Sequence, residues 1–166
     1  MFIDNLIAEQ DSLQGKAKGE TIAYDRDLNL TDQLFRYGVR INTDLIMDLQ
    51  CDLIPIVVGG TLENPQMEFL HWNYFPFLVS SDNKVSKNIG YVAGRFVNSI
   101  DTIEVAGIKK TPLLVTSPNS RIISTPALIS LNENKNVPQD IKFNRNGIPA
   151  AVLLEGKFTS LFRNKL

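Results

Sequence analysis

The sequence holds one cysteine, Cys51, and one histidine, His71. Structural zinc takes about four such ligands, so a Cys/His zinc site is excluded. No internal disulfide can form, and the cysteine count is silent on redox compartment. A lone Cys between Gln50 and Asp52 reads as a packing residue rather than a nucleophile. Neither charge is in surplus, with 17 Lys and Arg against 18 Asp and Glu. Without a basic arm or cluster to neutralise a series of phosphates, nucleic-acid binding is not expected. Long apolar runs are missing as well. The longest, Ile54 to Val58 and Ala150 to Leu154, fall far short of the roughly twenty residues that span a bilayer.

Catalytic motifs are scarce. A Ser-His-Asp triad would have to use His71 as base, yet no Gly-x-Ser-x-Gly elbow is present to expose a serine. No Gly-x-Gly-x-x-Gly and no Gly-x-x-x-x-Gly-Lys-Ser/Thr occurs, so neither a dinucleotide fold nor a nucleotide-hydrolysing loop is encoded, and no cofactor is expected. Asp25, Asp27 and Asp32 are close enough to offer oxygen ligands to a hard cation. Arg26 sits among them and the spacing of a calcium loop is absent, so a solvated loop and helix start explains them better.

What is present is ample for a core. At 166 residues with 43% apolar, the chain fits one domain that needs no staple. Met1-Phe2-Ile3-Asp4 lacks a basic n-region before a long apolar stretch and so reads as the tail of a strand, not a signal peptide. At the other end, Phe158, Leu161 and Phe162 are spaced as though a further element followed. Both ends suggest a fragment of a larger protein. Residues 8–24 are polar, carry Gly15 and Gly19, and read as a surface loop or short linker. The expected division is a strand stub and polar loop over 1–24, then a strand-rich body over 25–166, within one domain.

Leu30, Leu34 and Tyr37 recur at i, i+4, i+7 and predict a helix that Thr31 or Asn29 caps and Gly38 stops. Asn29-Leu30-Thr31 also matches a glycosylation acceptor, though capping is the simpler account. Beyond Gly38 the period becomes strand-like. Asp44 to Asp48 is a short apolar run read as a strand, and Ile54 to Val58 is closed by Gly59-Gly60. Pro55 removes a ladder donor, which places this strand at an edge or makes its pairing begin after Pro55. Phe75 to Val79 repeats the pattern with Pro76. Phe96 to Val105 and Pro112 to Thr116 flank Gly107 to Lys110, which predicts a hairpin. Ala127 to Leu131 and Ala150 to Leu154 are two further short strands, and helical signal is scarce in the second half.

Two places are candidates for contact with a ligand or partner. Phe69 to Phe77 holds five aromatic rings in nine residues, among them Trp72 and Tyr74 with His71 alongside. Such clusters form binding patches or core, and about half of these rings are expected at the surface. Ser117, Ser120 and Arg121 follow a buried strand; open α/β sheets place ligands at such loops, and Arg121 suits a carboxylate.

Several stretches together carry a family likeness: Tyr24 to Ile41, Asp48 to Cys51, Ser99 to Ile103, Ser117 to Arg121 and Ala151 to Ser160. In order over most of the chain they resemble the gliding-motility-associated ABC transporter auxiliary protein, also described as a substrate-binding component. The resemblance implies a membrane-anchored protein whose extracytoplasmic, periplasmic region contains this domain, anchored outside these residues and working with a separate permease and ATPase. It implies an α/β domain related to the glutamine-amidotransferase-like class, with earlier parallel strands and helices preceding residue 1. The expected fold is therefore α/β to α+β, a strand-rich mixed sheet with few short helices. The expected role is non-catalytic, by protein contact; the rival is a small-molecule receptor using Arg121 and the aromatic stretch.

Overall fold

Runs of β-branched and aromatic residues broken by Gly, Pro and Asn favour strands over helices along most of this chain. The computed structural model describes residues 1–14, 19–61, 63–133, 140–160 and 163. Their elements are β1 (Leu6–Ile7), α1 (Asp11–Gln14), β2 (Glu20–Asp25), α2 (Thr31–Arg36), β3 (Val39–Ile41), β4 (Asp44–Asp48) and β5 (Cys51–Gly60), then β6 (Pro65–Ser80), β7 (Val92–Ala93), β8 (Ile100–Thr102), β9 (Ile108–Val115), β10 (Ser120–Ser124), β11 (Ala127–Ser130) and β12 (Pro149–Gly156). The strand-rich class with few short helices is what the sequence implies. Every ladder among the described residues is antiparallel, so the sheets are not mixed there.

The main sheet runs β12-β9-β6-β5 with β7 also on β6, and three smaller sheets are β1-β2-β11, β10-β4 and β3-β8. β5 ends its sheet, the first of the two outcomes Pro55 allows; the second does not hold, because pairing already begins at Cys51. β4 is buried along its whole length because it pairs with β10 and also packs on β6. That explains why Leu45-Ile46-Met47 is a continuous apolar run rather than an alternating one.

Trp72 sits at the centre of the core. Its indole meets Tyr74, Phe75 and Phe96 edge-on, with ring centroids 5.2, 4.9 and 5.6 Å away. Each such pair adds about 0.5–1.5 kcal/mol beyond burial. Leu45, Met47, Ile54, Ile129 and Phe143 close around them. β6 thus changes character along its length: exposed from Pro65 to Phe69, it is buried on both faces from Trp72 to Pro76.

Three local expectations are corrected. The helix exists as α2 with Leu34 buried, but Leu30 is its N-cap and no side chain caps it. Asn29 instead takes a positive φ of 52°, and its N–H donates to Asp27 Oδ1 at 2.9 Å. Gly38 ends the helix at φ 86°, where an added Cβ would lie 2.9 Å from the Ile103 carbonyl oxygen. Residues 8–24 are not all loop: α1 lies there and β2 begins at Glu20. β2 escapes a periodicity reading because Ile22 and Tyr24 face solvent and Ala23 alone is fully buried. Finally, no hairpin turns at Gly107 to Lys110. Ile108 already begins β9, which pairs with β12 and β6, while β8 pairs with β3. Gly107 breaks the chain without reversing it onto the preceding strand.

Gly15 and the terminal Leu161 and Phe162 lie outside the described residues.

Candidate functional site

Of the aromatic candidates, Trp72 and Tyr74 are each 1% exposed and offer no surface to a partner. Trp72 Nε1 donates to the Ser130 carbonyl at 3.1 Å. Burial first, and the neighbouring Glu133 charge second, push the Tyr74 phenol far above its ordinary range. His71 is exposed, with Nδ1 3.2 Å from the Cys51 carbonyl oxygen. The Cys51 thiol is buried and donates to Asn73 Oδ1 at 3.5 Å. Burial, with Asp48 nearby, pushes it up to about 12, so it is not a thiolate at neutral pH.

Ser117 and Ser120 are equally enclosed, at 2% and 0% exposure. Ser117 donates through N–H and Oγ to the Asp48 carboxylate, at 2.8 and 2.6 Å. Ser120 Oγ donates to the Arg145 carbonyl at 2.8 Å. These hydroxyls fasten the connection between β9 and β10, so their polar capacity is used internally. Arg121 is also engaged. One Nη2 donates to Glu133 Oε1 at 3.1 Å, and its guanidinium stacks over Phe143, 4.9 Å from the ring centre. It lies with Trp72 and Tyr74 around the end of β11.

One outward-facing apolar feature among the described residues is the arm formed by β5 and β6; Ile22 and Leu128, paired across β2 and β11, are exposed as well. Opposite one another on the arm stand Leu53 and His71, Pro55 and Phe69, Val57 and Met67. Residues paired directly across an antiparallel ladder share a face. This face therefore carries Leu53, Val57, Met67 and Phe69, exposed by 45, 63, 53 and 63%. The other face holds Ile54, which is buried, and Ile56, which packs on the core. At the tip, Gly60 has φ 89° and would place a Cβ 2.3 Å from the Asn64 carbonyl, so the turn needs glycine. The sequence does not single out Leu53, Val57 or Met67, because both phases of Leu53-Ile-Pro-Ile-Val57 are apolar and only one phase meets the core.

A cleft of about 680 Å³ opens elsewhere, walled by Asp25, Arg26, Leu30, Leu34, Arg40 and Asp44 among others. None of the six sequence-chosen contact residues lines it; part of the Tyr24 to Ile41 stretch does. Asp25 Oδ2 accepts from Thr125 Oγ1, while its buried Oδ1 has no hydrogen-bond partner. Asp44 is buried, accepts from Ser99 N–H at 2.8 Å and from Ser99 Oγ, and burial raises its pKa. Arg40 is held by Asp101 at 2.6 Å. Among the described residues no three His, Cys, Asp or Glu side chains are grouped to hold a metal.

Fold and surface together define an antiparallel, strand-rich domain with a bare apolar arm and a polar cleft. The chain belongs to the auxiliary family described as an ABC-type uncharacterized transport system, whose model matches residues 1–166, and it is thus an auxiliary component of such a system. No curated protein and no solved structure matches it. No helix among the described residues is long and apolar enough to cross a membrane.

Proposed function

We propose that this chain is a non-catalytic, extracytoplasmic domain of an ABC-type transporter acting in gliding motility or export, and that it works by contact with other subunits, the permease and ATPase being its partners. The family supports the transport system; the arm supports the mode of action. Monomeric soluble proteins rarely leave a contiguous apolar face bare, and one that persists marks an interaction site. Four large apolar side chains share the outer face of β5 and β6, and that observation carries the reading. The Cys51 thiol, enclosed and protonated at neutral pH, agrees with a non-catalytic role.

The test is purification of the tagged protein from its own membranes in mild detergent. Permease and ATPase subunits are expected to come with it. Met67→Ser combined with Phe69→Ser is expected to lose them while the protein keeps its thermal unfolding midpoint, because both side chains are solvent-exposed. Recovery of the wild-type protein alone, or its protection from added protease in intact spheroplasts, would sink the proposal. A second reading, a small-molecule receptor, is favoured by the cleft between Asp25, Arg40 and Asp44.

A further inference from the structure

Val85, Ile89 and Tyr91 are exposed by 61, 54 and 70%, and all three lie in the connection between β6 and β7. Their exposure is built into the local hydrogen bonding. Asn83 opens one helical turn: its carbonyl accepts the Ser86 and Lys87 N–H groups at 3.1 and 2.7 Å, and its Oδ1 accepts the Val85 N–H at 2.8 Å. Ser86, 1% exposed, fastens the turn from inside, with its Oγ 2.8 Å from Ser80 Oγ. Because Ser86 takes the inward position, Lys84, Val85, Lys87 and Ile89 are left outside. Tyr91 is held too, its ring centre 6.0 Å from that of Phe77.

Charge sets this turn apart. From Ile41 to Asn83 the sequence contains no Lys or Arg, and the next cations, Lys84 and Lys87, stand on the turn itself among its apolar residues. Neither takes part in an ion pair among the described residues. Asp82 is the one acid from Ser81 to Tyr91, so the segment carries a net positive charge.

We infer that this turn docks on an anionic lipid surface. Val85 and Ile89 enter the boundary between headgroups and acyl chains, Lys84 and Lys87 meet lipid phosphates, and Tyr91 sits at headgroup level. Apolar area and attraction to anionic lipid add together at such a surface, where Tyr is enriched. A protein partner fits less well. A specific interface takes about 800 Å² from each side, more than three separated side chains of one turn supply. None of these residues lines the cleft, so no pocket accompanies them, and a fluid bilayer needs none. The site lies at the opposite end of β6 from the tip of the arm and does not depend on what the arm contacts.

The experiment places an environment-sensitive fluorophore on Val85→Cys; Cys51, 2% exposed, leaves the introduced thiol as the accessible one. The probe is vesicles of phosphatidylglycerol and phosphatidylcholine in equal parts, set against phosphatidylcholine alone. The label is expected to shift to the blue on the mixed vesicles and to be quenched there by nitroxide-bearing lipid. Half-saturation should need about tenfold or more lipid on phosphatidylcholine alone, and a similar excess on mixed vesicles after Lys84→Gln with Lys87→Gln. Both lysines are exposed, so the double variant keeps the wild-type unfolding midpoint. The same label on Gln66→Cys, at the arm, should stay in water. A label on Val85→Cys that never leaves water, equal binding to both vesicles, or entry of the arm label instead overturns the inference. So does capture of a protein segment rather than phospholipid by Ile89→p-benzoylphenylalanine in the full-length protein, irradiated in its own cells.

Discussion

Asp44 and Asp48 stand at the two ends of β4 with 6 and 0% of their surface exposed. Asp48 receives Ser117 N–H and Oγ and also the Gln50 N–H, at 2.8, 2.6 and 2.8 Å. Asp44 receives the Ser99 N–H and hydroxyl. Each carboxylate ties β4 to a loop far away in sequence, 55 positions on for Ser99 and 69 for Ser117. Asp48→Ala leaves buried donors unmatched, and urea unfolding is expected to show a loss of about 2–4 kcal/mol. The pH dependence has a definite sign. Burial outweighs the hydrogen bonds and raises both pKa values above 3.8. A folded pKa above the unfolded one means the folded state binds more protons in between. The associated stability is fully present below pH 3.8 and is lost as pH rises through the folded values. Wild-type stability relative to Asp48→Asn should therefore fall on going from about pH 4 to neutrality, by chemical denaturation at each pH. A relative gain over that interval would contradict the direction. The sequence shows the two acids as the bounds of an apolar run; it does not show Ser99 or Ser117 as their partners, because that pairing exists only once β8, β9 and β10 have assembled.

At the scale of elements, strands whose apolar residues meet the core were legible and those whose residues face outward were not. β4, β11 and β12 follow from short apolar runs, and the edge position of β5 is one of the two outcomes Pro55 allows. β2 was hidden because Ile22 and Tyr24 are exposed, and the apparent hairpin at Gly107 failed because partner choice is non-local: β9 joins β12, about forty residues downstream, instead of its neighbour in sequence. The stop at Gly38 was legible, but the reason is partly tertiary. Its φ of 86° disfavours a side chain, and a Cβ would also press on the Ile103 carbonyl at 2.9 Å and Lys110 Cε at 2.7 Å. Gly107 shares a positive φ of 76° but has nothing within 4 Å of its Cβ position. Gly38→Ala should lower stability by about 1–3 kcal/mol and by more than Gly107→Ala, which bears the backbone cost alone. Thermal unfolding of the two variants side by side checks the order, and equal midpoints would show that the Ile103 contact yields without cost.

For the whole molecule, the aromatic stretch is less exposed than the even split the sequence suggests: Trp72, Tyr74 and Phe75 became the core while Phe69, toward the tip, stayed bare. Period-two patterning names the two faces of a strand; which face is covered depends on how far the rest of the sheet extends along it. The cleft was similarly out of reach, since it brings Asp25 beside Asp44 and Arg40 across different sheets. Its charges bear on the receptor reading. Arg26 reaches Asp4 at 3.8 Å and Arg40 is bound to Asp101 at 2.6 Å, so both cations already face carboxylates. Asp25, Asp27 and Asp44 add acid to the walls. Organic acids are thus the poorest candidates, and the Arg121 route to a carboxylate ligand is occupied by Glu133. If contact is the function, sugars, peptides and organic acids tested by thermal shift should all leave the melting temperature unchanged. A true ligand at a hundred times its dissociation constant adds about 2.7 kcal/mol. For this chain, such a gain abolished by Asp25→Ala, but untouched by Met67→Ser with Phe69→Ser, would move the function from the arm to the cleft.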